Sequence, residues 1–154
     1  MARSNFHQLW DAAPFQMERS LILVKPDATA RNLSGSILSY IEKQGPRLVA
    51  LKMLHLDRAL AERHYAVHKE KPFFAGLVSY ITSGPIVAAV FEGDHAIEKI
   101  RKIMGPTDPA KAPKGTIRAD FGQDIEKNAI HGSDSPETAA KEIKLFFNDS
   151  EIHG

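Results

Sequence analysis

Apolar and polar positions along the chain follow two rhythms. Leu21-Ile22-Leu23-Val24 is a short unbroken apolar run, which reads as a buried strand ended by Lys25-Pro26-Asp27. Leu33, Ile37, Leu38 and Ile41 recur at helical spacing, and Gly45-Pro46 stops that helix. Arg47 to Leu56 mixes Val, Leu and Met with Lys52 and His55, as in a half-exposed strand. From Leu60 to Ser83 the pattern is helical again, broken by Pro72, which starts a second helix with Phe74, Leu77, Val78 and Ile81 as its core stripe. Ile86 to Phe91 is continuously apolar, as suits a central strand. Ile97, Ile100, Ile103 and Met104 mark the next helix. Gly105 to Gly115 follows, with three prolines and no period, and a loop this long in a compact domain is usually functional or interfacial. Ile125 to His131 reads as the last strand and Ser135 to Phe147 as the last helix, before a polar tail.

The order is βαβ, a helical insertion, then another βαβ. Two right-handed βαβ units with interleaved strands predict a ferredoxin-like α+β fold, a four-stranded antiparallel sheet with helices on one face. Residues 1–16 follow no period and read as an N-terminal appendage, placing the domain proper at 17–154 with Met17 just ahead of the first strand. No repeat or low-complexity segment interrupts it.

Length and composition narrow the function. At 154 residues the chain is one domain, large enough to bury a real core. A net charge of +1 argues against general binding to nucleic acid or an acidic membrane. The absence of cysteine removes disulfides, thiolate catalysis and cysteine-ligated metals. Seven histidines lack HxH or HExxH spacing, which argues against a structural zinc site. No apolar run is long enough to span a bilayer, and no signal-like N-terminus is evident. A cytoplasmic enzyme or binding domain fits.

Candidate chemistry centres on Asn128-Ala-Ile-His-Gly-Ser-Asp-Ser135. Ser135-Pro136-Glu137 is a helix start, with serine as N-cap and proline in the first turn. His131 thus sits at a strand end, on a turn kept tight by Gly132. Its alternative reading is a surface or satisfied core histidine. In the last helix, Glu142 falls inside the apolar arc of Ala139, Ile143, Leu145, Phe146 and Phe147, whereas Glu137, Lys141 and Lys144 lie opposite. A carboxylate in such an arc needs a polar partner or a large desolvation penalty, and His131 and Ser133 are the nearest candidates. A carboxylate that fixes the imidazole tautomer leaves the other ring nitrogen free as nucleophile; the alternative is a glutamate that snorkels to solvent. Tyr65 and His68 share a helix face. Lys25, Arg101 and Arg118 stand on separate elements and could converge on a polyphosphate. Without a Walker A or Rossmann glycine pattern, such a site would use side chains rather than a glycine-rich loop.

Lys25-Pro26-Asp27, His64-Tyr65 followed by Lys71-Pro72-Phe73-Phe74, Gly115-Thr116-Ile117-Arg118 and the segment around His131 together resemble the nucleoside diphosphate kinase family, over about Glu18 to Phe147. The resemblance implies transfer of the γ-phosphate of a nucleoside triphosphate, mainly ATP, to His131 Nδ1 and then to a nucleoside diphosphate. It casts Glu142 and Ser133 as orienting groups and places Tyr65 beside the transferred phosphate. Lys25 and Asn128 would contact the sugar, with Lys25 also near that phosphate, and His68, Arg101, Thr107 and Arg118 would hold the phosphate chain. Phe73 would stack on the base, with Ile125 packing from the other side. Mg²⁺ would arrive on the nucleotide phosphates, without direct protein ligands. Pro106, just before Thr107, is more rigid than the residue expected there. The resemblance also implies a homo-oligomer, a hexamer rather than a tetramer, because Gly105 to Gly115 with Pro109 is similar to a segment that packs between subunits. Rival readings are a non-catalytic regulatory or nucleic-acid-binding module on the same fold, expected to carry a substituted His131 or Glu142 or a basic stripe, and histidine-based phosphoryl transfer to a protein.

Overall fold

In the computed structural model, which describes residues 14–154, β1 (Met17–Val24) occupies an interior position in the sheet. Strands β2 (Arg47–Leu54), β3 (Ile86–Asp94) and β4 (Ile130–Gly132) complete a four-stranded antiparallel sheet in the order β2-β3-β1-β4. This is the ferredoxin-like α+β arrangement predicted from the element order. Most of the proposed 1–16 appendage lies outside the described residues.

The helices are α1 (Pro26–Thr29), α2 (Ser34–Glu42), α3 (Arg58–His64), α4 (Phe74–Ile81), α5 (Ala96–Met104), α6 (Ile117–Phe121) and α7 (Pro136–Phe146). They cover both faces of the sheet rather than the one face expected. Leu21 and Leu23 pack with Ala61 of α3, Val78 and Ile81 of α4 and Ala139 and Ile143 of α7. Ile22 and Val24 point the other way, into a second core with Ile37 and Ile41 of α2 and Ile100 and Met104 of α5. The reason is already in the apolar run of β1, whose successive side chains alternate between faces. Leaving one face bare would expose Ile22 and Val24, at about 1.5–3 kcal/mol for each side chain; both are fully buried.

Three local features depart from expectation, and all three shape the site. First, β4 is only Ile130–Gly132, not Ile125 to His131, because Ala129 adopts φ 75° and breaks the pleat. That unusual backbone is held on both sides: Ala129 N–H donates to Asp27 Oδ2 at 3.1 Å, and its carbonyl accepts from Lys25 N–H at 2.9 Å. Second, the chain after the long loop forms a helix, α6, capped by Thr116, whose hydroxyl accepts from Ala119 N–H. Third, Gly132 tightens no turn. It lies within β4 opposite Ile22, and a Cβ there would fall 2.4 Å from Met104 Sδ. Glycine there leaves the space that the buried Met104 side chain of α5 occupies against β4. By contrast, the start of α7 forms as read: Ser135 caps it by accepting from Thr138 N–H, with Pro136 in the first turn.

Candidate active site

His131 is placed by β4, which pairs it with Leu23 at the end of β1. Its Nε2 lies 2.8 Å from Glu142 Oε2, and Ser133 Oγ donates to Glu142 Oε1 at 2.6 Å. Ser133 itself is anchored, its hydroxyl accepting from Leu21 N–H at 2.9 Å. The carboxylate within the apolar arc of α7 thus finds the two partners that its position demanded. Burial alone would push the Glu142 carboxyl up, but hydrogen bonds from His131 and Ser133 and the nearby imidazoles hold it below its usual range. An ionised carboxylate can only accept, so Nε2 carries the imidazole proton and Nδ1 keeps its electron pair. Nδ1 makes no hydrogen bond to the described residues.

A cavity of about 220 Å³ opens before His131 and Glu142, and Tyr65, His68, Arg101 and Arg118 also line it. Tyr65 is held as a phenol, its pKa pushed up to about 12 by burial and then by Glu142. Arg118 is buried, and its guanidinium donates to the carbonyls of Gly105 at 3.0 Å and Ile130 at 2.8 Å. It therefore ties the start of the long loop to β4 as well as adding charge. Burial and the neighbouring Arg101 bring its pKa down to about 10, so it remains a cation at neutral pH. Arg101 Nη1 reaches the carbonyl of Gly132 at 3.4 Å. Thr107 lines the same cavity despite the preceding Pro106, and its carbonyl accepts from Asn128 Nδ2 at 3.1 Å.

Lys25 and Asn128 form a buried pair beside this cavity. Lys25 Nζ donates to Asn128 Oδ1 at 2.9 Å and to the Glu126 carbonyl at 2.7 Å. Asn128 spends its other hydrogen bonds on the carbonyls of Thr107 and Ile125. One ammonium hydrogen and one amide lone pair are left for a ligand. Phe73 is half-exposed, its ring 5.5 Å from that of His68, and Ile125 is exposed in a neighbouring groove. These two sit at the surface rather than in the enclosed cavity.

Two residues escaped the reading of the sequence by chemistry. Asp27, buried beneath the site, accepts from Tyr80 as well as from Ala129 and so holds the segment leading to His131. His64 packs against His131 with ring centroids 4.8 Å apart. A signal for His64 was present: it follows Leu60 and Ala61 at i+4 and i+3, so it falls inside an apolar stripe as Glu142 does.

An imidazole whose Nδ1 is left free, facing two arginines across a small polar cavity on a ferredoxin-like scaffold, is a site suited to an anionic, phosphate-bearing ligand. The comparisons narrow this to one family. A profile described as "Nucleoside diphosphate kinase" matches residues 18–152. A nucleoside diphosphate kinase of Dehalococcoides mccartyi is 61% identical over 136 residues, covering 88% of this chain and 96% of that protein. One from Archaeoglobus fulgidus is 54% identical, over 88% of this chain and 90% of its own. Among solved structures, the Aquifex aeolicus nucleoside diphosphate kinase superposes with a TM-score of 0.87 at 48% identity, covering 89% of this chain and 99% of that one. A halophilic nucleoside diphosphate kinase from Halobacterium salinarum, in complex with CDP, gives 0.86 at 46%, over 90% and 93% of the two chains. The chain belongs to the nucleoside diphosphate kinase family, and its activity is phosphate transfer between nucleotides.

Proposed function

We propose that the transfer runs in two half-reactions through a phosphohistidine at His131. The Nδ1 electron pair attacks the γ-phosphorus of a nucleoside triphosphate, mainly ATP, the bond to the bridging oxygen breaks, and the nucleoside diphosphate leaves. A second nucleoside diphosphate then attacks the phosphohistidine with its terminal phosphate oxygen and restores the imidazole. The observation that carries this reading is the 2.8 Å contact of His131 Nε2 with Glu142, which leaves Nδ1 as the free nucleophile. As Nδ1 is phosphorylated the ring gains positive charge, and the fixed carboxylate stabilises it.

Arg101 and Arg118 neutralise the phosphate chain, with His68 and Thr107 as further contacts and Tyr65 donating beside the transferred group. Lys25 and Asn128 meet the sugar hydroxyls, Lys25 also reaching the transferred phosphate, while Phe73 and Ile125 take the base between them. Stacking on Phe73 is tolerant of base identity because every base has a π-face. Mg²⁺ fits this site as a passenger on the nucleotide. The lining carries two cations, Arg101 and Arg118, and two carboxylates, Asp134 and Glu142, of which Glu142 is committed to His131 and Ser133. The ion would neutralise phosphate charge there. Catalysis resides in residues 17–154, in the cytoplasm, and in a homo-oligomer. No helix among the described residues is long and apolar enough to cross a membrane.

Incubation with γ-labelled ATP should give one acid-labile label per chain, discharged by any nucleoside diphosphate. His131→Ala should abolish label and turnover while folding and nucleotide binding persist. Turnover by that variant at the wild-type rate refutes the mechanism.

A further inference from the structure

His64 takes no part in the steps above. Its side chain is 1% exposed, and neither ring nitrogen has a hydrogen-bond partner among the described residues. Two bare polar atoms in a buried imidazole are costly unless something partners them. Nδ1 of His64 lies 3.8 Å from Glu142 Oε2, the same oxygen that is 2.8 Å from His131 Nε2. One donor atom from each of His64, His131 and Glu142 falls within 4.8 Å of the other two.

Two imidazoles and a carboxylate suit zinc, which binds such donors at about 2.0–2.2 Å and takes its fourth ligand from an open side. Mg²⁺, a hard ion, favours all-oxygen surroundings and is a poor match. A donor triangle of this size encloses a point close to zinc's bond lengths after small side-chain shifts, and the cavity supplies the open side. His64, kept neutral by burial, has no proton to lose before it can bind.

We infer that His64, His131 and Glu142 form an inhibitory zinc site that shares the nucleophile's ring. The inhibitory half of this inference rests on His131 reacting through Nδ1. When zinc binds, it takes the electron pair on His131 Nε2, and the proton that Nε2 carried moves to Nδ1. No proton leaves the ring, but the Nδ1 electron pair is gone, and the imidazole cannot attack phosphorus. Glu142 Oε2 exchanges a hydrogen bond for a metal bond, while Oε1 keeps Ser133. Zinc bound in this way therefore blocks phosphorylation of His131.

The test titrates the full chain with Zn²⁺ by calorimetry in the absence of nucleotide. It then measures labelling from γ-labelled Mg²⁺-ATP with free zinc buffered. One ion should bind per chain, about tenfold or more weaker in His64→Leu. Saturating zinc should slow labelling about tenfold or more in the wild type and little in His64→Leu, each rate taken relative to the same protein without zinc. Co²⁺ should give a tetrahedral visible spectrum that the variant loses. Should His64→Leu not fold, His64→Gln is read in the same way. Unchanged zinc affinity in the variant, or undiminished labelling of the zinc-saturated wild type, overturns the inference. Failure of the zinc-free wild type to acquire label refutes His131 as nucleophile instead, and the calorimetric comparison still decides the metal site.

Discussion

In the proposed mechanism the reactivity of His131 turns on Glu142, because its charge sets the tautomer as well as the position of the ring. Glu142→Gln keeps the shape and can still bond Ser133. It loses the negative charge that favours a proton on Nε2 and that stabilises the ring as it becomes cationic. Label should still form, but about 10²-fold more slowly, the scale expected for one preorganised electrostatic group; rapid-quench labelling at wild-type rate would remove the orienting role. Lys25 gives a second prediction, in pH. Burial lowers its pKa to about 8; Asp27, Glu126 and Asp124 oppose the drop and Arg118 adds to it, while the Tyr80 ring lies 5.6 Å from the ammonium. Below about 8 the ammonium is charged and the folded state bears its full desolvation penalty. That penalty is relieved as pH rises toward the ordinary value of 10.5, because the unfolded chain then holds more protons than the folded one. A bound polyphosphate pulls the proton back. Nucleotide affinity should therefore fall as pH rises through about 8, and binding there should take up protons. Calorimetry in two buffers of different ionisation enthalpy measures this, and a proton uptake of zero would contradict it.

At the scale of elements, the site depends on how closely α5 approaches β4. Met104 is almost fully buried and its sulfur occupies the space of a Cβ at Gly132. Gly132→Ala should cost about 1–3 kcal/mol, as overpacking of an enclosed core does. Met104→Ala opens a cavity that the new methyl partly fills, so the double variant should be more stable than the sum of the single losses allows. Chemical denaturation of the four proteins checks this, and strict additivity would mean that the two residues do not clash. The glycine was visible in the sequence but its reason was not, because Met104 and Gly132 meet only through the fold. The same limit explains β4: nothing local at Ala129 announces a positive φ, which Asp27 and Lys25 impose from the end of β1. What was legible had a local signature. The unbroken run of β1 implies two buried faces, and helices cover both. Ser135-Pro136 marked the start of α7, and a carboxylate in an apolar arc pointed to His131 and Ser133. His64 carried the same kind of conflict on α3, but its partners lie on β4 and α7, and spacing along one helix does not name them.

For the whole molecule, the open question is assembly, and two surfaces bear on it. β2 is an edge strand among the described residues, and its Leu51 and Met53 side chains are about half exposed or more, a combination that invites pairing with another chain. The segment Gly105 to Gly115 is the other surface. Asp108 caps its short 3₁₀ turn at Pro109–Lys111 by accepting from Ala110 N–H. Pro109 packs so tightly on Gly122 that a Cβ there would meet its ring at 2.7 Å. A loop braced in this way presents a rigid face, which lowers the ordering cost of an interface. Two distinct self-contacts on one chain suit a closed dihedral assembly of four or six chains, which sedimentation distinguishes. The N-terminal segment should not matter to it. Removing residues 1–16 takes away two hydrogen bonds of Gln16, one to the Asp94 carboxylate and one from His95 N–H, at the outer end of β1 and far along the chain from His131. A chain beginning at Met17 should therefore sediment as the same oligomer as the full-length chain at micromolar concentration and turn over at the full-length rate. Met53→Asp, which puts a charge on the exposed edge, should instead yield smaller species. A single-chain species for the unmodified protein would overturn the assembly, and loss of most turnover in a folded Met17 truncation would show that the N-terminal segment serves the site.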